Sequence, residues 1–246
     1  MPKTINAKFR SKINGLLDEM IGRVNEAAPA ARHLACASGI DTALFKRHTT
    51  ETILRIRLAR IADGKAIVLL AKTDPVAAKQ WAHYADEEML HDRLFLKDLK
   101  ALGVEESAVY STEPFFATKL LQGYLYYTLE HEGPRGLLCK AYFVEYMTRR
   151  TQGAWNDNIK KSLGDSAVRG AEAHLNYDAN EDHATAVWNV LMSTVSSSTD
   201  EARVLEHMHA YFDLFAAYFS ELGRKTKVGA TEQAALEVAG KGAGDR

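Results

Sequence analysis

The chain has 246 residues, 46% of them hydrophobic and 26% charged, with a formal net charge of −1. That length suits one large domain that buries its core without disulfide staples. The near-neutral balance disfavours a nucleic-acid binder, which would carry a basic excess or stripe. Two cysteines, Cys36 and Cys139, make no disulfide framework, so a cytoplasmic location is expected. The basic first ten residues lead into no apolar region, so a secretory signal is not expected. The apolar run from Ala66 to Ala71 is too short to span a bilayer.

Five prolines and the absence of sustained alternating runs predict an all-α protein. A first helix is expected over about Lys8–Ala27 and a second over Asp41–Lys72. Asp74 and Pro75 are a capping residue and a first-turn proline, opening a third helix that should run to Leu102 and stop at Gly103. Thr112-Glu113-Pro114 opens a fourth, which ends at Gly133. Pro134 opens a fifth that should break within residues 156–164. A sixth covers about Ser166–Val195 and a seventh Thr199–Leu222. The expectation is a single seven-helix bundle over residues 1–223, followed by a flexible Gly/Ala/Lys-rich tail over 224–246.

Three of these helices carry metal-type ligands. Glu88 and His91, three residues apart, share a helical face, as do His174 and Asp178, four apart. Glu145 stands alone among the apolar residues of Ala141-Tyr-Phe-Val-Glu-Tyr-Met147. Carboxylate oxygens with neutral imidazole nitrogens suit iron better than magnesium or calcium, and helical di-iron proteins combine four carboxylates with two histidines. The bland alternatives are a solvated helix face for Glu88/His91, an arginine ion pair for Glu145 and a surface pair for His174/Asp178. A fourth carboxylate should come from the helix before Pro75. Glu51 lies roughly 33 Å from the Thr73 turn along its helix and Asp63 roughly 15 Å, against roughly 20 Å from Pro75 to Glu88 on the next. Asp63 is therefore the better height match, and both remain candidates.

These residues resemble the haem-oxygenase-like di-iron oxidase/oxygenase superfamily, whose seven-helix fold is shared with thiaminase-II (TENA) and the pyrroloquinoline-quinone synthase proteins. The resemblance rests on three segments: the run from His91 to Gly103, Ala141-Tyr-Phe-Val-Glu145, and His174-Leu-Asn-Tyr-Asp178. The Glu-x-x-His form at Glu88–His91 is similar to that of alkene-forming fatty-acid decarboxylases. The resemblance implies two iron ions, with manganese as a substitute, and O2-dependent oxidation of a small aliphatic carboxylate, amino acid or amine. Many members carry a second histidine one turn after the aspartate. Here Glu181 holds that position, and His183 falls on the opposite face of a continuous helix unless the helix bulges. A second copy of the chain is a candidate partner; no nucleic acid and no membrane span are expected.

Two other readings compete. Cys139 lies six residues before Glu145, where a TENA-like hydrolase would place a cysteine nucleophile, although a buried helical cysteine is more often a small hydrophobe. A metal-free helical binding protein is the other. Arg149 and Arg150 are candidates for a substrate carboxylate or for solvated positions on their helix. His207 and His209 read as surface residues.

Overall fold

A computed structural model describes residues 3–36 and 39–228, with the side chains of residues 3–5, 36 and 178–181 also outside the description. The described residues are all-helical in their regular structure, and none of their helices is long and apolar enough to cross a membrane. The elements are α1 (Lys3–Ala27), α2 (Pro29–Cys36), α3 (Thr42–Ala71), α4 (Pro75–Glu88), α5 (Asp92–Ala101) and α6 (Glu106–Ser111). They continue with α7 (Phe116–His131), α8 (Arg135–Leu163), α9 (Arg169–Glu181), α10 (His183–Ser193) and α11 (Ser198–Thr226).

The expected count of seven is too low. Short helices α2 and α6 were not anticipated, and two helices expected to be continuous are each broken in the middle. Many of the boundaries follow local chemistry. Asp41 caps α3 by accepting from the Leu44 N–H, and Asp74 accepts from the Val76 and Ala77 N–H groups ahead of Pro75. Gly103 and Gly133, both at positive φ, close the segments that precede them. The helix expected to end at Leu222 runs on to Thr226; residues 229–246 of the proposed tail lie outside the described residues.

The first internal break separates α4 from α5 at Met89–His91. The turn tightens to i→i−3 bonds, with the His91 N–H donating to the Glu88 carbonyl at 3.2 Å and Leu94 N–H to that of His91 at 3.0 Å. Arg60 of α3 compensates for the interrupted ladder: its Nε donates to the Met89 carbonyl at 2.8 Å and its Nη2 meets buried Asp92 at 2.5 Å. The second break is at Asp182, which adopts the left-handed conformation (φ 47°, ψ 49°) between α9 and α10. Aspartate tolerates that region better than most residues do.

Most of the bundle shares one large core, in which Trp81, Trp188, Tyr142, Tyr211 and Tyr218 are essentially fully buried. His207, read from sequence as a surface residue, is buried and paired with the Tyr124 hydroxyl at 2.9 Å. A smaller cluster of Ile53, Phe95, Leu96, Leu99, Val109 and Ala171 forms where α3, α5 and α9 meet. There Asp98 of α5 caps α9 through space, accepting from the Gly170 N–H at 2.6 Å and the Ala171 N–H at 2.9 Å. Two otherwise unpaired first-turn donors are satisfied, and a negative charge meets the positive end of the helix dipole. Gly170 permits the approach, because a Cβ there would lie 1.9 Å from the Leu94 carbonyl oxygen.

Gly170→Ala should therefore push α5 from α9 and cost about 1–3 kcal/mol. For a chain of this size that is a fall of several degrees in Tm. Gly123→Ala, where a Cβ meets open space, should leave Tm unchanged or raise it. A differential scan of the two variants checks this.

Candidate metal centre

The α4–α5 break sets the two ligands of the first motif at different angles. Glu88 closes α4 and His91 stands immediately before α5, so both side chains turn inward while Met89 and Leu90 face solvent. Because Asp98 fixes α9 against α5, His174 arrives beside His91 with ring centroids 4.6 Å apart. Glu145 enters from α8, only 4% exposed. His183 opens α10 directly after the left-handed Asp182 and is 1% exposed.

These side chains form two three-ligand groups that share a member. Glu88, His91 and His174 make one; Glu88, Glu145 and His183 make the other. In each, the donor atoms lie within 4.8 Å of one another. Glu88 Oε2 sits 3.0 Å from His91 Nδ1 and 3.9 Å from His174 Nε2. Its Oε1 sits 3.2 Å from His183 Nδ1, which is also 4.0 Å from Glu145 Oε1.

Outer partners orient the ligands. Glu87 Oε2 lies 3.2 Å from His183 Nε2, which leaves Nδ1 directed at the two glutamates. Such a carboxylate behind a histidine fixes its tautomer and raises its basicity toward a metal. The Tyr177 hydroxyl donates to the other Glu87 oxygen at 3.2 Å, and its ring packs edge-on against both His91 and His183. The Tyr84 hydroxyl donates to Glu145 Oε1 at 2.8 Å. Burial, with the charges of Glu145 and Glu88, holds Tyr84 well above the ordinary tyrosine range, so it remains a donor.

Burial opposes ionisation of Glu88, but His174, His183 and His91 outweigh it and hold its carboxyl well below the usual range. Even so, Glu88 Oε1 and His91 Nδ1 are buried without a hydrogen bond of good geometry. Oxygen and nitrogen atoms in van der Waals proximity, pointed at common centres but poorly aligned with each other, suit a cation between them. Carboxylate and imidazole donors fit divalent iron, manganese or zinc, and Glu88 would contribute to both groups.

The remaining expected ligands fare differently. Asp178 lies on α9 one turn beyond His174, but the side chains of Asp178 and Glu181 lie outside the described residues. Glu51 lies outside both ligand groups, fully buried and engaged elsewhere. Its Oε1 meets Arg47 and the Phe115 N–H, and its Oε2 accepts from Thr118. Asp63 lines a small adjoining cavity with Glu88, Tyr84 and Lys140, outside both ligand groups. Burial raises its carboxyl to about 6, with Lys140 lowering and Glu88 raising it. Cys139 is buried in the main core, does not line the cavity described below, and burial drives its thiol far up. Arg149 and Arg150 pair with Asp182 and Asp18 at the surface.

Sequence reasoning set His183 aside on the assumption of a continuous helix, and gave Glu87 no role. The signal for His183 was Asp182, one of the few residue types that can sit left-handed and so break a helix just ahead of it.

A cavity of about 150 Å³ opens beside Glu88, Glu145 and His174. Its walls are largely apolar and aromatic, including Phe143, Phe215, Phe219 and Trp155, with Arg55, Thr52, Thr148 and Gln152 among the polar groups. His48 is also on the wall; burial and then the charge of Arg55 lower it to about 3, so it is neutral.

The chain is similar to solved structures of haem-oxygenase-like fold. It resembles a domain of unknown function with a haem-oxygenase-like fold from Shewanella denitrificans OS217. The TM-score is 0.75 at 22% identity, over 89% of this chain and 94% of the other. It also resembles a TenA homolog from Pseudomonas syringae pv. tomato DC3000, with a TM-score of 0.70 at 10% identity, over 88% and 93% of the two chains. The fold is haem-oxygenase-like. No protein-family model and no curated protein matches the sequence.

The shared glutamate makes a distinctive pattern testable. Offered excess Fe(II) or Mn(II) without oxygen and then desalted, the protein should retain two ions per chain by elemental analysis. His183→Ala should lose one and keep the other, His91→Ala likewise, and Glu88→Gln should hold neither tightly. Two ions retained by Glu88→Gln would dismiss the bridging role.

Proposed function

We propose that this protein is a non-haem, two-iron enzyme that uses O2 to oxidise a small aliphatic carboxylate, amino acid or amine. The observation that carries the reading is Glu88, a largely buried carboxylate shared between two three-ligand groups at the wall of a mostly apolar cavity. Manganese would satisfy the same donors. When bound, a pair of ferrous ions supplies the reducing electrons that O2 chemistry requires.

The chain's own residues do the rest. Glu88, His91 and His174 would hold one ion, and Glu88, Glu145 and His183 the other; Asp178 remains a candidate further ligand from the sequence motif. Glu87 keeps the His183 ring in one orientation, so that ligand does not have to reorganise when charge changes. Tyr84 donates a hydrogen bond to the Glu145 oxygen it touches and limits that carboxylate's freedom to rotate. Apolar walls exclude water from the reacting volume, which strengthens each electrostatic contact inside it.

The likeness to a TenA homolog keeps a cysteine hydrolase in view. The position of Cys139 weighs against it, because a nucleophile must reach its substrate as a thiolate. This thiol is fully buried, off the cavity wall and pushed up by burial.

Iron-loaded protein supplied with reductant and a set of small carboxylates, amino acids and amines should consume O2 with at least one of them. His174→Ala should abolish that uptake while circular dichroism stays helical, and Cys139→Ser should retain it. Full turnover in chelator-treated protein that Cys139→Ser eliminates would replace this reading with the hydrolase.

A further inference from the structure

Arg55 stands on α3, on the wall of the cavity that holds Glu88, Glu145 and His174. Its Nη2 donates to the Thr52 hydroxyl at 2.9 Å and the guanidinium also meets the Tyr218 hydroxyl, while its buried Nη1 makes no hydrogen bond of good geometry. No carboxylate among the described residues lies within ion-pair distance of it. Glu51, one turn away and the natural counter-charge, is taken by Arg47, Thr118 and the Phe115 N–H. Lys140, another cation on the wall, has Asp63 for electrostatic company. A buried guanidinium nitrogen left without an acceptor carries a desolvation cost that a ligand anion would relieve.

The surroundings fix the guanidinium in place. Its centre lies 4.3 Å from the Tyr218 ring centroid and 5.9 Å from that of Phe215. A stacked, planar fork of donors is preorganised for a carboxylate. Along α3, Arg55 is eight residues from Asp63, which neighbours Glu88, so it sits roughly 12 Å along the helix from that level. The cavity thus has Glu88, Glu145 and His174, with Lys140 near them, at one end, and the guanidinium with neutral His48 toward the other, with rings between. Its volume of about 150 Å³ is that of a pocket suited to one small ring such as benzene.

We propose that Arg55 is the anion anchor of this cavity and that the substrate is a compact monocarboxylate with an aromatic or short apolar body. This rests on the oxidation reading above only for the fate of the bound molecule. It narrows that reading, since amines lack a partner at the Arg55 end and the volume matches a compact body better than a long chain. Arg55 holds the carboxylate, and the body of the molecule reaches back toward Glu88 and Glu145.

The test is binding to the full-length chain, by calorimetry, both metal-free and Mn(II)-loaded. The probes are phenylacetate, phenylacetamide, benzylamine and dodecanoate. The acid should bind at least tenfold more tightly than the isosteric amide or the amine in both forms, and dodecanoate should bind more weakly than phenylacetate. Arg55→Gln should make acid and amide alike, whereas Arg55→Lys should keep the preference at reduced affinity. A merely structural Arg55 would lower Tm in these variants without changing the acid-to-amide ratio. If Arg55→Gln does not fold, the Arg55→Lys ratio and the wild-type panel decide. Equal binding of acid and amide by wild type, a preference seen only with Mn(II), or a preference unchanged in Arg55→Gln would each overturn the proposal. Carboxylate binding through Arg55 with no O2 uptake would leave the anchor standing and remove the oxidase.

Discussion

An ionised carboxylate removed from water costs several kcal/mol unless other groups replace its hydration. Glu88 meets that demand with three imidazoles drawn from three places in the chain, at 3.0, 3.2 and 3.9 Å from its two oxygens. Each histidine in turn is held by its own element: the start of α5, the middle of α9 and the start of α10. The architecture of this end of the bundle is the set of backbone arrangements that lets all three rings converge on one carboxylate.

A straight helix could not do this. Residues on one uninterrupted helix face diverge along the axis by about 1.5 Å per residue and cannot wrap around a point. The two breaks remove that limitation. At Met89–His91 the chain turns so that Glu88 and His91 approach from different directions, and the cost in lost helix hydrogen bonds is offset by Arg60. At Asp182 a single left-handed residue redirects the chain, and His183 becomes an inward residue. Asp98, two turns beyond His91, locks α9 by its first-turn N–H groups, so the spacing between His91 and His174 is set by a capping interaction outside the site.

The cavity adds polarity to this geometry. Its ligand end is acidic and its Arg55 end cationic, while aromatic rings line the space between them. Opposed charges across a low-dielectric interior orient a polar guest strongly, because few waters are present to screen them. Orientation of that kind, more than fold, separates the chemistries of helical bundles that share an architecture.

The all-α class, the helix starts at Asp41 and Asp74–Pro75, the stops at Gly103 and Gly133, and the grouping of Glu88, His91, Glu145 and His174 were legible in the sequence. Capping, proline and glycine effects act over a few residues, and ligand pairs three or four apart share a face whatever lies around them. Glu51, the poorer height match of the two candidates before Pro75, could not be assigned a partner from sequence, because Arg47, Phe115 and Thr118 converge on it only after folding. His183 and Glu87 were hidden because the period of a continuous helix sends His183 away from His174. The left-handed turn that reverses this is favoured by no local pattern strong enough to predict it. Local chemistry therefore determined which residues are available to bind a cation. Where their side chains meet was decided by long-range contacts from α3 and α5, Arg60 on Met89 and Asp98 on Gly170, because only the packed bundle brings together groups 29 and 72 residues apart.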